Sequence, residues 1–217
     1  MNDPFSDLLT EATGMAGCPV CRVLTRLLYD EMCRLQYDGV HDPATRARLR
    51  AGGFCADHLW YLFDLTTRRA VAALLAPCLA RIAEQVRALA ARLEADAAPT
   101  LRRGEAALVR PLGTAECIAC SHLRAWSDVL ADTTAALLSR GSVPVAATAL
   151  CVAHLGLVAG RLPTAAASAL LDAWAHATRE LVARLDVAAG ERGLGRERHV
   201  AAEAVRRLAG GRSLGQC

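Results

Sequence analysis

The chain has 217 residues, of which 53% are hydrophobic but only 4% aromatic, enough for one compact domain or two small ones and a composition that favours helices packed through small side chains. Its 25 basic residues, all arginine, and 22 acidic ones leave a net charge of +3, a balance that argues against a nucleic-acid or acidic partner. Nine cysteines, with no basic start or apolar run in the opening MNDPFSDLLTEATG, argue against an exported disulfide scaffold and predict a reducing, cytoplasmic setting.

In chain order, the first helix is expected to open at Cys18-Pro19-Val20-Cys21. Pro19 suits a first turn, where its missing N–H costs nothing, and Val20, Leu24, Leu27, Met32 and Leu35 follow at helical spacing. A short polar helix or loop leads to Cys55-Ala56-Asp57-His58, which opens another helix. A long closing helix carries Val71, Leu75, Cys78, Ile82, Val86, Leu89 and Leu93 along one face, with Pro77 bending it or marking an early turn. Residues 98–116 hold two prolines and two glycines and read as a linker. Cys117-Ile118-Ala119-Cys120 then starts a second helical series.

The stretch Gly141–Gly160 has no formal charge and is about long enough to span a bilayer. It contains Ser, Pro, Thr, Cys and His and lacks an aromatic belt, so burial in a soluble core is the better reading. Cys151-Val152-Ala153-His154 lies inside it. Leu170, Trp174, Leu181 and Leu185 form the stripe of the next long helix, and a tail from 190 to 217 includes a helix over His199–Leu208. Nothing alternates as a strand would. The expected class is all-α.

The chain also repeats itself. CPVC matches CIAC, FCADHLWYL matches LCVAHLGLV, and RALAARLEA matches RELVARLDV, in the same order in both halves. The spacing between copies shrinks only slightly along the chain, which points to duplication. The expected architecture is a pseudo-twofold helical bundle: a first repeat over 1–97, the linker, a second repeat over 117–189, and the tail.

Each half thus carries CxxC followed by CxxH. The first set is Cys18, Cys21, Cys55 and His58; the second is Cys117, Cys120, Cys151 and His154. Spacing of i and i+3 puts each pair on one helical face or around one turn. Two pairs together supply three thiolates and one imidazole, a standard tetrahedral zinc set. Two zinc ions are therefore expected, with an iron–sulfur cluster or a metal-free dithiol as the alternative. Linear order favours pairing within each half; pairing of Cys18 and Cys21 with Cys151 and His154 is the alternative. Cys33 and Cys78 have no partner in the other half and read as core residues, as do Trp60 and Trp174. His122 follows Cys120, but its first-half counterpart is Val23, so it is not expected to be a ligand.

The segment CPVCRVLTRLLYDEM…YDGVHDPATRARLRAGGFCADHLWYL, Cys18 to Leu62, resembles a prokaryotic family of unknown function that carries CPxC, an acidic stretch ending in Asp, and GFCxxH before a helix. The resemblance implies a helical, cysteine-rich, metal-binding protein and no assigned activity. The second copy departs from it, with CIAC for CPxC and ALC for GFC, which weakens the case for a second site.

Four complete ligands per site leave no open coordination position. The expected role is therefore structural: a binding or accessory module for an unidentified protein or small molecule. No catalytic residues are assigned. Asp57, Asp30 and Glu31 are the acids nearest the motifs and read as ordinary solvated carboxylates, with Asp57 near a helix start. In the tail, Arg192, Arg196, Arg198, Arg206, Arg207 and Arg212 interleave with Glu191, Glu197 and Glu203, as on a solvated helix rather than a nucleic-acid surface.

Overall fold

A computed structural model describes residues 4–95, 117–144, 149–190 and 196–209. Those residues form helices and no strand: α1 Pro4–Thr13, α2 Pro19–His41, α3 Pro43–Gly52, α4 Ala56–Leu65, α5 Arg68–Ala95, α6 Ile118–Ser139, α7 Val152–Ala159, α8 Thr164–Gly190 and α9 Arg196–Ala209. The all-α expectation holds, and the helix after each CxxC and each CxxH is present. α5 continues through Pro77. The tail helix begins somewhat earlier than its apolar pattern suggested. No described helix is long and apolar enough to cross a membrane, and the helix within the uncharged stretch, α7, covers only Val152–Ala159. The linker, Arg192, Arg212 and Cys217 lie outside the described residues. α1 has no counterpart in the sequence reading; it buries Leu9 and Ala12.

Contacts divide the chain into two compact units, one of residues 1–27 and 123–217 and the other of residues 28–122. Each unit draws on both halves of the sequence, and the divisions fall inside α2 and α6. In the discontinuous unit, Leu9, Val20, Leu130, Leu150, Val158 and Leu170 are almost fully buried. α9 packs on α8 and α7. Arg161 reaches from beyond α7 to Asp128 and Asp132 on α6, at 2.6 Å each. The Trp174 indole N–H donates to the Leu150 carbonyl at 2.8 Å, which ties α8 to the residues leading into α7.

In the continuous unit, Leu28, Met32, Leu35, Leu49, Leu62 and Leu74 fill the core, each stabilising by roughly 1.5–3 kcal/mol relative to exposure. α2 meets α5 at Gly39, where a Cβ would overlap the Leu74 side chain. Cys78 is buried and donates its S–H to the Leu49 carbonyl at 3.3 Å, as a core cysteine should. Three of the expected core positions are exposed among the described residues, while the side chains of Val71, Leu89 and Leu93 lie outside them. Cys33 is exposed, Val86 is 52% exposed and Trp60 is 67% exposed. On α2 the buried series Leu28, Glu31, Met32 and Leu35 leaves Cys33 on the far side. On α4 the buried positions are His58 and Leu62, so Trp60 and Phe63 fall on the opposite face, where their rings meet edge-on at 5.8 Å.

Asp42 caps α3, accepting from the Ala44 and Thr45 amides at 3.1 and 2.8 Å, with Pro43 at the first position. The Thr45 hydroxyl and the two amides hold its carboxyl below the usual range. Gly53 ends α3 at φ 73°, ψ −158°, a region essentially restricted to glycine. Its N–H donates to the Leu49 carbonyl at 2.8 Å and its carbonyl accepts from Ile118 N–H at 3.3 Å. Gly53→Ala is therefore expected to lower unfolding free energy by about 1–3 kcal/mol, measured by denaturant unfolding; an unchanged midpoint would show that the turn relaxes without strain.

Candidate metal centres

The local chemistry begins at four helix starts. The carbonyls of Cys18, Cys55, Cys117 and Cys151 accept the first backbone bond of their helices, from Arg22, Leu59, Ser121 and Leu155, at 3.1, 2.9, 3.0 and 2.8 Å. Each of these cysteines is therefore the N-cap of α2, α4, α6 or α7. Neither Cys55 nor Cys151 uses its sulfur to cap a backbone amide, so those sulfurs are left for another role. The second residue of each motif, Cys21, His58, Cys120 or His154, sits one turn further on the same side. Short N-cap and one-turn spacing thus aim two donor atoms off the end of each helix.

Two such ends meet in each cluster. Site A, in the discontinuous unit, gathers Cys18, Cys21, Cys151 and His154; site B, in the continuous unit, gathers Cys55, His58, Cys117 and Cys120. The donor atoms within each set all lie within 4.8 Å of one another. The expected pairing within each half is thus incorrect: the CxxC of one half joins the CxxH of the other. Sequence order carries no information on this point, because i,i+3 spacing fixes what a helix end presents but not which other end it meets.

The two sites have matching internal geometry. In site A, His154 Nδ1 lies 3.5, 3.3 and 3.2 Å from the sulfurs of Cys18, Cys21 and Cys151, and the sulfurs of Cys21 and Cys151 are 3.7 Å apart. In site B, His58 Nδ1 lies 3.1, 3.5 and 3.4 Å from Cys55, Cys117 and Cys120, with Cys55 and Cys120 at 3.7 Å. In both, the imidazole presents Nδ1 to all three sulfurs. His58 Nε2 is buried without a hydrogen-bond partner among the described residues, so the ring's other nitrogen is the one turned to the cluster. The replacement of GFC by ALC does not cost the second CxxH its cluster. Cys151 is buried and fully engaged, and the described residues include no non-glycine with positive φ, so Ala149 reaches Cys151 without the turn that Gly53 makes.

Seven of the eight donors are buried; Cys55 alone is half-exposed. Packing thiols and an imidazole this closely couples their protons. Hydrogen bonds with Cys151 and Cys18 push the Cys21 thiol far up, whereas bonds with Cys18 and Cys21 hold Cys151 far down. Burial opposes an imidazolium at His154, yet hydrogen bonds to Cys151 and Cys18 carry it up to about 9.

The other residues singled out by the sequence stand apart from these clusters. His122 pairs with Glu31 at 2.9 Å, and Glu31, itself buried, also receives both the Nε and Nη2 of Arg34 at 2.9 and 2.6 Å. Asp30 and Asp57 are exposed. Arg206 is exposed, and Glu203 pairs with Arg184 at 3.0 Å. The Glu31–His122 pair had no sequence signal, since the two residues are far apart in the chain.

A model of a family of unknown function, DUF6062, matches residues 4–185. No curated protein and no solved structure matches the chain.

Because a bound ion must displace the His154 proton, metal uptake at site A is expected to release protons at pH 7, and its apparent affinity to rise as pH increases towards about 9. Competition against a chelating dye across pH 6 to 9 measures this, on a Cys55→Ser/His58→Ala background that isolates site A; an affinity independent of pH would contradict it.

Proposed function

The chain belongs to DUF6062, a family of unknown function, and from that premise we propose that it is a zinc protein holding two structural ions, one in each Cys3His cluster, and serving as a binding or accessory module. One observation carries the reading: the spacing of the donor atoms. With zinc–sulfur bonds near 2.3 Å and zinc–nitrogen bonds near 2.0–2.1 Å, a tetrahedron has edges of about 3.8 Å between sulfurs and about 3.6 Å between sulfur and nitrogen. The corresponding separations here are 3.7 Å and 3.1–3.5 Å. The donor set suits zinc, which accepts three thiolates and an imidazole and has no geometric preference of its own. Cys18, Cys21, Cys151 and His154 would hold one ion, and Cys55, His58, Cys117 and Cys120 the other.

Four protein ligands complete a tetrahedron and leave no position for water or substrate, the mark of a structural rather than a catalytic zinc site. Bound zinc at such sites contributes folding free energy on the order of 10 kcal/mol, and here each ion would join segments far apart in sequence. The internal duplication fits this reading, each copy supplying one CxxC and one CxxH.

Purified protein is expected to carry two zinc ions per chain by elemental analysis. Chelation is expected to lower the thermal midpoint substantially or unfold the chain; a metal-free chain that stays folded would defeat the proposal. The crossed pairing has its own test in double variants. Cys18→Ser/His154→Ala removes two ligands of one cluster and should leave one ion bound. Cys18→Ser/His58→Ala strikes both clusters and should leave none. The opposite result would restore pairing within each half.

A further inference from the structure

Resting on the zinc reading, we propose that site B is a redox-labile centre: a hydroperoxide joins Cys55 and Cys120 in a disulfide and expels that site's ion, while site A retains its own. The two clusters have the same internal spacing, so they differ in access rather than in geometry. Cys55 is the one donor of the eight that is not buried, and reaction of sulfur with peroxide follows exposure and thiolate character. Its neighbour is already placed. Cys120 Sγ lies 3.7 Å away, so closing to a disulfide bond of about 2.05 Å requires a movement under about 2 Å. The equivalent pair in site A, Cys21 and Cys151, is also 3.7 Å apart but buried on both sides.

The setting of Cys55 favours the reaction further. It caps α4, whose N-terminus presents positive potential.

The chemistry balances with the hydroperoxide as the only oxidant. The Cys55 thiolate attacks the terminal peroxide oxygen, the O–O bond breaks, and the leaving alkoxide or hydroxide takes a proton from solvent; Cys55 becomes a sulfenic acid. The Cys120 thiolate then attacks that sulfur, forms the S–S bond and displaces hydroxide, which also takes a solvent proton. The two sulfurs lose two electrons in all, and the peroxide becomes an alcohol, or water, plus water. Site B is left with Cys117 and His58, two ligands where four held the ion, and thiol reductant with added zinc reverses the step.

The test uses the zinc-loaded full chain carrying Cys33→Ser, which removes the exposed thiol outside both clusters among the described residues, and Cys217→Ser, since Cys217 lies outside those residues. Zinc content is measured first. Hydrogen peroxide is then added in slight excess, zinc release is followed with a metallochromic dye, and differential alkylation with peptide mapping locates the oxidised sulfurs. The expected result is one zinc per chain released about tenfold or more faster than the second, with a Cys55–Cys120 disulfide and Cys18, Cys21 and Cys151 still reduced. Release of both ions together, release from site A first, or a first disulfide elsewhere overturns this inference and leaves the zinc reading standing. A chain that carries no metal before peroxide is added overturns both.

Discussion

Both centres depend on one arrangement, a pair of helix N-termini that each contribute a sulfur from the N-cap and a second donor one turn later. A helix start has unpaired amides and a partial positive charge of roughly +0.5. Serine, threonine or aspartate usually answers that need by capping. Here the cap position is cysteine, and its carbonyl starts the helix while its sulfur faces the other helix end. With a divalent ion bound as proposed, three thiolates would leave about one negative charge, and two helix ends of roughly +0.5 each would offset it. That buried charge would meet an opposing field of similar size, which would let such a centre tolerate almost complete removal from water.

The crossed pairing decides what each centre does for the chain. Site A joins residues 18–21 to residues 151–154, the two separate segments of the discontinuous unit. Without a tie, bringing such segments together costs loop-closure entropy that grows with the length between them. Site B joins the middle of the continuous unit to its last residues. Had each half completed its own site, each tie would have closed a shorter loop within one copy. Crossing assigns the long closure to the site whose donors are all buried, and leaves the more accessible centre to close the shorter loop.

The local parts of this arrangement were legible in sequence. Helix starts at CxxC and CxxH, the all-α class, the eight donors and the burial of Leu24, Met32, Leu35 and Leu170 all follow from spacing within a few residues. What was not legible required knowing which surfaces meet. Trp60 looks like an anchor because it is large and apolar, yet α4 must turn His58 inward to the sulfurs, and Leu62 one turn later follows it. The helical period then sends Trp60 outward. A buried donor has outvoted a larger hydrophobic side chain, and any reading of α4 by hydrophobicity alone must fail. Cys33 is a different case, since the register of Leu28, Met32 and Leu35 already excludes it from the core, and the lack of a partner in the other half says nothing of its burial.

The two CxxH motifs reach similar geometry by different backbone routes, and the difference explains the uneven family pattern. At site B the approach depends on Gly53, whose left-handed conformation ends α3 and whose carbonyl takes the Ile118 amide at the start of α6. One residue thus finishes a helix, supports the opposing CxxC helix and sets the direction into Cys55. No α3-like helix is described before α7, and the approach to Cys151 is held at Leu150, buried and accepting the Trp174 indole N–H. A glycine there would add chain entropy with no turn to make. The second approach thus reaches its cluster from Ala149 without a positive-φ residue, and the change from GFC to ALC carries no information against the second centre.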